Sequence, residues 1–229
     1  MKTNLKAGRT IGLLLFLIIA AGIPSLNLRG LSTELTSNPE FLAIVFENTL
    51  QTKLAIVLDT LASTLWLVIA ILMYQKMSEY RLGLALAFFG LWIINLGIII
   101  YSNIANLSLL SLSEAFVSNI QMDSLTLHSL GYLKVEDYYW AHFMALITYA
   151  SAAFVLFYFL FRTRLVPRLL SIWGMLAISL VFFATWANIF KINVSFHFYT
   201  QNGIHMIAFM GWLIAKGFSS KPDLNQSLQ

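Results

Sequence analysis

A single aspartate, Asp59, sits inside a long apolar run, and its residue type and position give it the strongest claim to chemistry in this sequence. It falls six positions into the stretch from Lys53 to Tyr74, ~9 Å along a helix. An ionisable group at such depth in a membrane span is costly and commonly functional. Ser63 follows one helical turn on, on the same face. Asn95, His142, Asn188 and His205 occupy four further apolar stretches, each toward the end that the charge pattern below assigns to the outer side. Polar side chains at a common depth on five helices predict one shared pocket opening outward. The competing reading gives each an ordinary interhelical hydrogen bond, worth ~1 kcal/mol or less; a packing role of that kind would let Asp59→Asn stand.

Two catalytic chemistries fit these residue types. Asp59 with His142 or His205 supplies the acid–base pair of an intramembrane hydrolase. Asp59, His142 and His205 together are acceptable zinc ligands with an open fourth position. No two of them share a helix at the three- or four-residue spacing that marks metal sites, so no metal is expected, and no cofactor motif is present. The chain has no G-x-S-x-G, no glycine-rich phosphate loop and no paired intramembrane carboxylates. With no cysteine, disulfide frameworks and thiol chemistry are excluded.

The elements that position these residues follow from composition. Of the 229 residues, 59% are hydrophobic and 10% charged, against roughly half and a quarter in soluble domains. The reading is an all-α polytopic membrane protein, one domain over 1–229, with six spans near 10–28, 53–74, 82–104, 138–161, 169–190 and 198–218. Each is about as long as a ~30 Å hydrocarbon core requires. Lys2, Lys6 and Arg9 before the first run resemble a signal peptide, but the run is long and lacks a small-residue cleavage site after it. Pro24 marks a kink or an early end.

Lysine and arginine set the orientation. With a cytoplasmic N-terminus, Lys2, Lys6, Arg9, Lys76, Arg81, Arg162, Arg164, Arg168, Lys216 and Lys221 lie inside, and only Arg29, Lys53, Lys134 and Lys191 outside. Both termini are then cytoplasmic, and 219–229 is a flexible cytoplasmic tail. Two external connections are long, 29–52 and 105–137. In the first, Asn38-Pro39-Glu40 starts a short apolar helix that rests on the bundle or in the outer interface. In the second, Ser111 and Glu114 have capping-box spacing and suggest another short helix. Small residues recur as Gly8 and Gly12, and as Gly83, Gly90 and Gly97. They read as close helix packing, with a dimer interface as the alternative.

The order of these features resembles a bacterial membrane family known as domain of unknown function 4386. The resemblance is carried by Arg9-Thr10-Ile11-Gly12, by Asp59, by Leu165-Val166-Pro167-Arg168-Leu169-Leu170 and by Trp212-Leu213-Ile214-Ala215-Lys216-Gly217. Members often carry a glutamate about six residues before that tryptophan; here the place is Met206, beside His205. The resemblance implies a bacterial cytoplasmic membrane protein and supplies no activity. The leading functional expectation is therefore a small non-enzymatic module that binds a lipid or small molecule, or partners another membrane protein. A hydrolase-like enzyme and a small transporter are the alternatives. The expected partners are the lipid bilayer, such a ligand, and a homo- or hetero-oligomeric contact, with no nucleic acid.

Overall fold

The computed structural model describes residues 2–29, 35–118 and 123–219. Parts of both external connections, and the tail expected after residue 219, lie outside the described residues. Those described fold into seven α-helices and one short 3-10 turn: α1 Lys2–Arg29, α2 Phe41–Glu47, α3 Thr49–Tyr80, α4 Leu82–Val117, α5 Ser124–Thr163, α6 Arg168–Ile189 and α7 His197–Lys216. Five of them, α1 and α3 to α6, are long and apolar enough to cross a membrane. The sixth expected span corresponds to α7, 20 residues long and carrying Gln201, Asn202 and His205, and it falls outside that group of five.

Each long helix packs against its neighbours in sequence, α1 on α3, then α4, α5, α6 and α7, and α7 closes on α1. The result is a closed ring of six antiparallel helices; short connections account for the pairing of α3 with α4 and of α5 with α6. One extended residue, Arg81, separates α3 from α4. Arg164 in the left-handed region ends α5, and Pro167 cannot continue a helix but can precede α6. Pro24 does not end α1, which runs unbroken to Arg29.

Both described ends of the chain lie at one end of the ring, here the terminal end. There the core is apolar and tight, with Phe88, Phe157, Phe159, Phe209, Met73 and Met77 fully buried. Gly8 and Gly12 serve this packing. A methyl group on Gly12 would stand 2.9 Å from the Ile214 backbone nitrogen, and one on Gly8 would strike the Phe218 nitrogen. By contrast, a methyl group on Gly83, Gly90 or Gly97 meets nothing within 4 Å. The glycine stripe of α4 therefore does not serve close packing inside this chain. Midway along the ring an aromatic layer fills its axis. Trp66 stacks on Trp92 at 4.4 Å, and Tyr149 meets both edge-on at 5.8 and 6.0 Å.

The distal end departs most from the sequence reading. The connection expected over 105–137 is helical through most of its length, because α4 continues to Val117 and α5 begins at Ser124. Ser111 opens no new helix; its hydroxyl donates to the Leu107 carbonyl in mid-helix. The physical cause is an amphipathic pattern. Ala105, Leu109 and Ser113 on α4, and Leu127, Gly131 and Val135 on α5, are spaced four apart and buried, while the other faces mix polar residues with exposed leucines such as Leu107, Leu125 and Leu133. Average hydropathy drops, but the helical period does not. At 36 and 40 residues, ~54 and ~60 Å long, the two helices overhang the ring as a hairpin. The α2 helix is packed onto this hairpin, with Phe41, Leu42 and Val45 buried in a second core with Leu109, Leu110, Leu127 and Val135. Asn38 accepts a hydrogen bond from the Glu40 amide at 2.9 Å just before it. Gly131 is required here, since a methyl group would stand 2.8 Å from both Phe41 and Leu42.

Candidate functional site

Below the hairpin, at the distal mouth of the ring, four helices contribute charged or polar groups to one cluster. Ser25 and Arg29 stand four residues apart on the last turns of α1, so both face α3. Arg29 forms an ion pair with Asp59: its guanidinium donates to one carboxylate oxygen, while the Ser25 hydroxyl donates to the other. Ser25 also lies 3.0 Å from the Ala55 carbonyl. The guanidinium reaches the Asn103 side-chain oxygen on α4 at 3.5 Å and lies over the Tyr138 ring of α5 at 4.7 Å. Asn103 in turn donates to Thr60 at 3.2 Å. The His142 ring stands 6.1 Å from that of Tyr138 and within electrostatic reach of both Arg29 and Asp59.

Burial makes this ion pair unusual. The side chain of Arg29 is 5% exposed and that of Asp59 20%. Two groups of the neighbourhood remain unsatisfied: the buried Nε–H of Arg29 and the buried side-chain oxygen of Asn106. Asn106 follows Asn103 by three residues, on the same side of α4, and uses its amide nitrogen on the Ser102 carbonyl at 3.0 Å. Such orphaned polar atoms are rare in folded proteins and point to water, an ion or a ligand.

The residues singled out from the sequence are distributed over separate places. Asp59 and His142 belong to this cluster, and Ser63 is buried one turn below Asp59. Asn95 instead ties α4 to α5, donating to the Ala145 carbonyl at 2.8 Å and to Thr148 at 2.9 Å. Asn188 ties α6 to α7 through the Tyr199 hydroxyl at 2.8 Å. His205 lies toward the terminal end, its Nε2 2.9 Å from the Leu170 carbonyl, enclosed by Phe157, Trp173 and Phe209 at 4.7 to 6.0 Å. Gly174 makes room for it, since a methyl group there would be 2.7 Å from Cε1. Phe157 is fifteen residues beyond His142 on α5, ~22 Å along the helix, so Asp59 and His205 are not neighbours. The cause is the axial register of α7, which begins at His197, one residue from where the sequence places the span, and sets His205 against the early turns of α6 at Leu170. Among the described residues no three His, Cys, Asp or Glu side chains form a metal-binding group.

Ser25, Arg29, Asn103 and Tyr138 were not singled out from the sequence. Arg29 reads as an ordinary outer-loop charge by position, and its one signal was Ser25 four residues earlier on a span end. The cluster can hold a small polar guest between a guanidinium and amide groups. It is poorly arranged for general-base chemistry, because both oxygens of Asp59 already accept hydrogen bonds.

A model of the family described as a domain of unknown function (DUF4386) matches residues 10–217. No curated protein matches the chain, and no solved structure does.

Proposed function

We propose that this chain, which belongs to the family described as a domain of unknown function (DUF4386), is a small multi-pass membrane module that binds a polar small molecule or a lipid headgroup at the Arg29–Asp59 site without transforming it. The observation that carries this reading is the orphaned Nε–H of Arg29 within a buried ion pair, with a second orphaned atom, the Asn106 oxygen, about one turn along α4 from Asn103. A buried ion pair is weak evidence for stability, since desolvation offsets much of its Coulombic attraction. A guest offering one acceptor and one donor would complete both orphaned groups.

The membrane frame of this proposal has both termini cytoplasmic, α7 as a sixth span and α2 at the outer interface of a bacterial cytoplasmic membrane. Helix arithmetic supports it. Arg9 to Arg29, Arg81 to Tyr101 and Arg162 to His142 are each twenty residues, ~30 Å of helix, the thickness of the hydrocarbon core. Three helices thus carry a cation at one boundary and reach the other at the level of the cluster.

The test is mass spectrometry of the intact protein, extracted gently from its native membrane, beside Arg29→Gln and Asn106→Ala. A non-covalent adduct on wild type that both variants lose supports the reading. Wild type carrying no adduct beyond those that both variants keep overturns it. Assembly mass in the same spectra reads any contact with a second copy or another membrane protein.

A further inference from the structure

A second binding place lies on the outer face of the ring, between α4 and α5. The groove holds about 490 Å³ and runs from Asp137 and Tyr101 at its distal end, past Trp140 and Gly97, to Ile147 and Thr148, a volume in the range of ligand sites. Its walls are largely apolar. It is open because Gly97 has no side chain and nothing stands within 4 Å of where one would begin.

The chemistry changes along its length. At the distal end Lys134 donates to Asp137 at 2.8 Å, and both side chains are about one-third exposed. Trp140 and Tyr101 are 43% and 52% exposed at the same level, as aromatic residues are where apolar and polar layers of a bilayer meet. Asp137 stands twenty-five residues from Arg162 on α5, ~37 Å along the helix, beyond a ~30 Å hydrocarbon core but within the ~40–45 Å that includes the headgroups.

We propose that this groove binds one zwitterionic phospholipid whose headgroup ends in a primary ammonium. An acyl chain lies along the apolar walls, the phosphate faces Lys134, and the ammonium donates to Asp137. The charge pattern selects this class. Lys134 and Asp137 exchange one neutral pair for two charge-matched contacts with a lipid that is itself neutral overall. An anionic headgroup satisfies Lys134 and repels Asp137. A choline headgroup has no N–H to donate to the carboxylate. This site is separate from the Arg29–Asp59 cluster, so either proposal can fail alone.

The experiment uses the full chain in detergent with equal amounts of dioleoyl phosphatidylethanolamine, phosphatidylglycerol and phosphatidylcholine, read by native mass spectrometry. Wild type is expected to retain the ethanolamine lipid in preference to the other two by about tenfold, the equivalent of one good charge-assisted contact. Asp137→Asn should reduce that preference to near parity. Gly97→Leu, which fills the groove from an open position, should lose the bound lipid while its helical circular dichroism is unchanged. Equal retention of all three lipids by wild type, an undiminished preference in Asp137→Asn, or an undiminished adduct in a folded Gly97→Leu would each overturn the proposal. Asp137→Asn is a surface change, so the test stands even if the leucine variant fails to fold.

Discussion

Replacing Arg29 by leucine leaves the Asp59 carboxylate in the distal mouth without its counter-charge. Breaking a buried pair in this way costs ~3–5 kcal/mol, and the residual exposure of Asp59, 20% against 5% for Arg29, places the expected cost near the lower figure. At ~2–4 °C per kcal/mol for a chain of this length, the melting temperature should fall by ~6–12 °C. Asp59→Asn should fall comparably, because it strands the guanidinium instead. The double variant Arg29→Leu with Asp59→Leu removes both charges. Ser25 keeps the Ala55 carbonyl at 3.0 Å, and Asn103 loses only a 3.5 Å contact while keeping Thr60. The double variant should therefore melt within ~2–4 °C of wild type, about 1 kcal/mol. The assay is a thermal series of the four proteins in one detergent at one pH. A single variant as stable as wild type, or a double variant no better than either single one, would refute the account of a desolvated, mutually dependent pair.

Glycine positions give a paired prediction. Gly12→Ala should lower the melting temperature by separating α1 from α7, where a methyl group would sit 2.9 Å from a backbone nitrogen. Gly90→Ala, in open space, should raise stability by ~0.5–1 kcal/mol through helix propensity. In the hairpin, Phe41→Ala should cost ~3 kcal/mol locally. Hydrogen exchange should then show lost protection over 109–117 and 124–135, with the ring helices unchanged; protection lost throughout the chain would mean that hairpin and ring unfold as one unit. For topology, reporter fusions after Met77, Arg164 and Gln229 should report cytoplasm and one after Ser124 the outside, and one reversed reporter breaks the proposed frame.

Long apolar runs with no water to serve their backbone groups have essentially one local solution, so the sequence alone determined that the chain is helical, where most of its helices lie, and that Asp59 is an anomaly needing a partner. Which partner was decided only by tertiary structure. Arg29 is thirty residues from Asp59 and looks like any outer-loop cation until α1 is seen to continue past Pro24 and bring it beside α3. Without Arg29, Asp59→Asn reads as conservative; beside a buried guanidinium it removes the counter-charge that Arg29 has among the described residues. His142 and His205 were equivalent candidates by depth. They separate because depth counted along a sequence assumes that neighbouring helices lie level with one another, whereas α7 begins where expected and is still offset along α6, so that His205 meets Leu170. A different assumption, that a helix extends only as far as its apolar run, hid the hairpin, whose helical period survives after mean hydropathy has fallen. Periodicity and hydropathy are properties of a residue and its near neighbours in sequence, so they can be read locally. The axial offset of one helix against another is set by which side chains interlock across their interface, and no single stretch of sequence contains that information.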